Sequence, residues 1–140
     1  MHHALRVSRQ AWPACRPELP AGCVLVKEGR VVASGYNQPP GQPHAEVMAL
    51  SRFAGNLSEV TAYLTLEPSA SHNQRPSGAN ILAASGIKRV MVATLNPDPR
   101  LAGVGVDVLR TAGIEVVIGV LEQQVLKEIA ASLENSGRPS

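Results

Sequence analysis

The sequence predicts an α/β fold: a three-layer α/β/α sandwich around a five-stranded mixed sheet. Three observations predict it. Runs rich in Val, Ile and Leu alternate with helix-spaced segments along the whole chain. The first two apolar runs are joined by a Glu-Gly turn with no room for a helix. Each later run is followed by a helix-length segment, so those strands should lie parallel, joined by right-handed crossovers.

The elements follow in order. "HHALRVSRQAW" (2–12) has apolar residues at helical spacing and stops at Pro13. "ACRPELPAG" (14–22) is a Pro-rich loop. "CVLVKEGRVVASGY" (23–36) reads as a hairpin turning at Glu28-Gly29. After the loop "NQPPGQP", "HAEVMALSRFAG" (44–55) reads as a helix closed by Gly55. "VTAYLTLE" (60–67) is a strand. "SGANILAASG" (77–86) is a helix ending at Gly86 and feeding the strand "IKRVMVAT" (87–94). "VGVDVLRTAG" (104–113) is a helix, "IEVVIGV" (114–120) a strand and "LEQQVLKEIAASLENS" (121–136) the last helix. One domain is expected over residues 1–135, with a disordered tail over 136–140.

Composition excludes several functions. At 140 residues with 44% hydrophobic and 17% charged content, the chain can bury one core. A net charge of +2 with scattered basic residues, one Trp, two Tyr and one Phe offers no nucleic-acid platform. No apolar stretch approaches the ~20 residues that span a bilayer. The N-terminus lacks the apolar core of a signal peptide. The two cysteines, Cys15 and Cys23, make no disulfide framework, so a cytoplasmic location is expected. Cys15, in the Pro-rich loop, is expected to be exposed and oxidisable, and Cys23 to be a small core residue.

In such a sheet, ligands collect where loops leave the carboxyl ends of strands. The loops 67–78 and 96–103 leave there, and the helix carrying His44 and Glu46 should open beside them. A histidine and a glutamate two residues apart at a helix start have a mechanical use in hydrolytic deamination: the first binds zinc and the second shuttles protons. Bare H-x-E is common by chance. A first-turn glutamate also suits a helix dipole, and His44 could simply occupy the cap region.

"AGCVLVKEGRVVASGY", "PHAEVMAL", "AYLTLEP", "ILAASGIKRVMVAT" and "NPDPRLAGVGVDVLRTAGIEVVIGVLE" stand in this order. Together they resemble the deaminase domain of the bifunctional riboflavin-biosynthesis pyrimidine deaminase/reductase, of the cytidine-deaminase-like superfamily. The resemblance implies zinc as cofactor in related enzymes and a diaminopyrimidine ribotide as substrate. It also implies a homodimer or tetramer. Where the family pattern has two zinc-ligand cysteines, this chain has Ser69 and Gly78, which leaves His44 the only retained ligand. The implied catalytic residues are Glu46 and His44. The implied substrate contacts fall on Glu18, His72, Asn73, Arg75, Asn96 and Asp98, several of them altered from the family pattern. Glu67 is read as structural.

Zinc lowers the pKa of bound water from about 15.7 to about 7, on the order of 12 kcal/mol of activation as an upper bound. General base catalysis contributes only ~10²–10⁴-fold. The expected function is therefore a metal-free binder of a pyrimidine- or ribotide-like heterocycle, a pseudo-deaminase with no cofactor. Two alternatives stand beside it: an acid/base enzyme using Glu46 and His44 on an amino-heterocycle, and a deaminase with zinc held by His44, His72 and Cys23. No nucleic acid or membrane is expected as a partner.

Overall fold

The computed structural model describes residues 1–16, 18–39, 42–70 and 77–136, excepting the side chains of 132–136 in the last helix. Five strands form one sheet in the order β2-β1-β3-β4-β5. β1 (Gly22–Lys27) and β2 (Arg30–Tyr36) are the expected antiparallel hairpin. Their two-residue turn places both Glu28 and Gly29 at positive φ, 52° and 75°, the geometry that matches strand twist. A register shift after Leu25 makes room for one extra residue in β2. β1 also pairs antiparallel with β3 (Val60–Leu66), and β3, β4 (Arg89–Thr94) and β5 (Glu115–Ile118) run parallel. The sheet is therefore mixed, as expected.

Alternation along the strands feeds two cores. Cys23, Leu25, Ala62, Leu64, Val90, Val92 and Val116 face α2 (Ala45–Ser51), α3 (Gly78–Ala84) and α4 (Val104–Thr111). On the opposite face, Val24 packs with Ala4 and Val7 of α1 (His2–Ser8), and Ala93 with Val125 and Ile129 of α5 (Glu122–Ser136). Two helices reach the sheet through glycine. A Cβ on Gly22 would lie 2.1 Å from Ala4 O, and one on Gly35 would lie 2.4 Å from Ala45 O.

Several expected boundaries shift. α2 ends at Ser51 rather than at Gly55. Arg52 leaves the helix to donate to Ser34 O at 3.1 Å, and Phe53 packs against the core, so tertiary contacts override the helical pattern. The first helix ends at Ser8 and continues only as a 3-10 turn, Arg9–Ala11. Ser136 of the expected tail is the last residue of α5, and 137–140 lie outside the described residues. Among the described residues, no helix is long and apolar enough to cross a membrane.

Cys15 corrects an expectation. It is fully buried, and its thiol donates to Glu18 O at 3.3 Å. Backbone bonds from Cys15 N to Ala11 O and from Glu18 N to Cys15 O fold the segment into successive turns that enclose it. Proline content marked a loop, and the closing contacts were invisible in the sequence.

Candidate functional site

The site lies at the carboxyl ends of β3 and β4, where parallel strands leave a crevice. β3 runs into Glu67, Pro68 and Ser69. Glu67 is buried, and its carboxylate collects three backbone N–H groups. Oε1 accepts from Asn96 at 3.0 Å and Gly103 at 2.9 Å, and Oε2 accepts from Val106 at 2.9 Å. One side chain thus binds the β4–α4 loop and the first turn of α4 to the end of β3. Glu67 is structural, as its place at the strand end predicts, and it also joins two loops of the site. The residue shapes the site from below.

The β3–α3 loop is latched at its two described ends. Ser69 O accepts from Ser77 Oγ at 2.6 Å and from Ala79 N at 2.9 Å. Ser77, fully buried, also caps α3 by accepting from Asn80 N at 3.3 Å. His72, Asn73, Gln74 and Arg75 belong to the part of this loop outside the described residues.

Between the two loops lies a cleft of ≈ 160 Å³, with Pro68, Ser69 and Ala70 on one side and Asn96, Leu101 and Val104 on the other. Leu101 and Val104 are exposed, and Gly105 lets α4 close on the strand end, since a Cβ there would lie 1.9 Å from Pro68 O. Asn96 Oδ1 accepts from Asp98 N at 2.9 Å, a local Asx turn. Asp98 is turned toward Arg100, accepting from its backbone N–H at 3.0 Å and from its guanidinium at 2.9 Å. That guanidinium holds the Asp98 carboxyl below the usual aspartate range.

His44 and Glu46 come from the start of α2. His44 is the half-buried N-cap residue, and its side chain makes no cap bond. Glu46 in the first turn is 4% exposed. Its carboxylate reaches the first residue of α3: a Cβ built on Gly78 would lie 1.5 Å from Glu46 Oε1 and 2.6 Å from its Cδ. Cys23, fully buried in β1, has its thiol pushed well up, first by burial and then by the negative charge of Glu46. Glu46, Gly78 and Cys23 therefore form one neighbourhood, with Ser69 bonded to its far side through Ala79.

Glu18 is half-buried in the turns preceding β1, and the structure does not bring it to the cleft walls. Asn37, which the sequence reading passed over, secures that segment. Its side chain accepts from Ala21 N and donates to Leu19 O, both at 2.8 Å. Its position directly after a strand and before a Pro-rich loop was the available signal. The apolar wall of Leu101 and Val104 was also missed, because both look like ordinary loop and helix residues in one dimension.

Comparison with known proteins agrees with this architecture. Residues 1–94 match the family described as the cytidine and deoxycytidylate deaminase zinc-binding region. The riboflavin biosynthesis protein RibD of Aquifex aeolicus is 44% identical over 124 residues, which cover 89% of this chain and 35% of that protein. RibD of Acinetobacter baumannii superposes with a TM-score of 0.88 at 37% identity, covering 95% of this chain and 37% of its own. The Thermotoga maritima diaminohydroxyphosphoribosylaminopyrimidine deaminase/5-amino-6-(5-phosphoribosylamino)uracil reductase superposes at 0.86 and 35% identity, covering 99% and 41%. The chain thus spans about a third of the length of the curated relatives it matches. Five strands in this order, the α2 start facing the α3 start, and these matches lead to one assignment: the chain belongs to the cytidine and deoxycytidylate deaminase family.

Proposed function

We propose that the chain is a metal-free member of this family that binds a pyrimidine or pyrimidine ribotide in the crevice beyond β3 and β4. The observation that carries this reading is the ≈ 160 Å³ cleft with an apolar wall and one amide, Asn96, at its rim. An engineered apolar cavity of about 150 Å³ accepts benzene, so this volume suits one six-membered ring. The ligand class follows the deaminase relatives, one of which is named for a phosphoribosylaminopyrimidine.

Among the described residues, the donors do not fit a zinc ion. A catalytic zinc site needs three protein donors from His, Cys, Asp or Glu, and a structural one four. Ser69 offers a neutral hydroxyl, Gly78 offers nothing, and the volume of a side chain at 78 is filled by Glu46. Among the described residues no cluster of three such donors stands ready for a metal. Asn96 lies on the cleft wall, and His44, Glu46, His72, Asn73, Arg75 and Asp98 are candidate contacts for a ligand that extends beyond it, whereas Glu18 stands apart from the cleft walls. A cytoplasmic location and a homo-oligomeric state complete the proposal.

Elemental mass spectrometry on protein purified without chelator tests the metal, and thermal shift with cytosine, uracil and 2-aminopyrimidin-4-one tests the ligand. The expected result is far less than one zinc per chain and a raised Tm with at least one pyrimidine. A ligand at 100-fold its Kd stabilises by about 2.7 kcal/mol, a rise of roughly 8 °C for a chain of this size. One zinc per chain with chelator-sensitive ammonia release overturns the proposal.

A further inference from the structure

The sheet ends in two edge strands, β2 and β5, and the outward N–H and C=O groups of an edge invite strand addition by another chain. Apolar side chains on both strands favour such pairing. Val31 of β2 is 47% exposed, and Val117 and Ile118 of β5 are 40% and 36% exposed. The ladder bonds show which backbone groups point outward. Glu115 N donates to Lys88 O and Gly119 N to Val92 O, so Glu115, Val117 and Gly119 face β4, while Val116 and Ile118 face away from it. Asn37 N donates to Ala21 O, so by the same alternation Ser34 and Tyr36 face away from β1.

An arginine stands at each of these outward rows. Arg110 of α4 donates through Nη2 to Val116 O at 3.2 Å, and Arg52, at the end of α2, donates through Nη1 to Ser34 O at 3.1 Å. Beside the second bond, Tyr36 N donates to Met48 Sδ at 3.4 Å, and the register shift after Leu25 bends the same edge. The two guanidinium groups come from different helices and reach opposite margins of the sheet.

We propose that Arg52 and Arg110 close the two edges of the sheet against strand addition by a second copy of this chain. Each guanidinium occupies a carbonyl that an incoming strand would need, and places a positive charge where a two-fold related copy would bring another. Self-association of the intact chain is thereby confined to surfaces other than the β2 and β5 edges. The proposal rests on the sheet and is independent of the pyrimidine-binding reading.

Light scattering after size exclusion, combined with amide exchange, tests it. Arg110→Ala should form larger species than the parent, its mean mass rising with concentration by roughly twofold or more. At those concentrations the outward N–H of Ile118 should gain protection, while that of Val117, which faces β4, should not change. Arg52→Ala should behave alike, with the gain at the Ser34 N–H. Arg89→Ala is the control: it removes the same charge from the β4–β5 margin, but Arg89 pairs with the Glu115 carboxylate and covers no edge carbonyl, so this variant should keep the parent's mass. If Arg110→Ala does not fold, Arg110→Gln takes its place, since its amide ends two bonds short of the guanidinium Nη; failure of both to fold would overturn the guarding role of Arg110. Each edge stands or falls by its own variant. A folded variant with the parent's mass at every concentration, association without protection at Ile118 or Ser34, or equal association in Arg89→Ala would overturn the proposal.

Discussion

Replacing Glu67 should cost more than its place at a strand end suggests. Its carboxylate receives the N–H groups of Asn96 and Gly103 on Oε1 and that of Val106 on Oε2. In Glu67→Ala the Val106 N–H is left buried and unsatisfied, which costs about 1–3 kcal/mol. The other two bonds are only part-buried, so water can reach the freed donors, and each loses about 0.5–1.5 kcal/mol net. The sum centres near 4 kcal/mol, or a Tm lowered by roughly 12 °C. Glu67→Gln is the sharper probe. Its amide oxygen can keep the pair on Oε1, but its NH₂ then faces the Val106 N–H, donor against donor. Expected is a loss of about 1–3 kcal/mol in urea unfolding, with faster amide exchange at Val106 than at Asn96. A Gln variant as stable as the parent, with Val106 exchange unchanged, would refute the clamp.

Other consequences are equally direct. Gly35→Ala should destabilise by at least the roughly 3 kcal/mol typical of severe overpacking, since its Cβ would meet Ala45 O at 2.4 Å and Ala49 N at 2.6 Å; a soluble variant with unchanged Tm would show that α2 can shift. Both thiols are buried and their pKa values raised, so iodoacetamide at pH 8 should label neither cysteine in the native chain and both after unfolding, read by mass spectrometry. The folded pKa of Asp98 lies below the ordinary 3.8, so the unfolded chain binds the proton more readily. The contribution of its Arg100 pair is therefore fully present above about 3.8 and is lost as the pH falls through the lower folded value. In Asp98→Asn, amide exchange at Arg100 should become faster at neutral pH and lose that acid dependence. As the pair is solvent-exposed, global stability should hardly change.

The layers, the hairpin and the parallel half of the sheet are legible in one dimension. Those follow from hydrophobic period, from the Glu28-Gly29 turn and from crossover handedness, all local or topological constraints. The sequence also marked His44, Glu46 and the two loops, because side-chain chemistry and loop position are written in one dimension. Tertiary structure alone decided the rest. Cys15 became a core residue through turns whose contacts span three or four residues yet close only when packed. α2 lost its last turn when Arg52 and Phe53 found partners on β2 and in the core. Glu67 gained a role through donors 29 to 39 residues away. The seating of Glu46 against Gly78 joins helices 32 positions apart, and a missing Cβ matters only once the fold puts a carboxylate in its place. Pattern carries what each segment prefers, and packing decides which atoms share a volume.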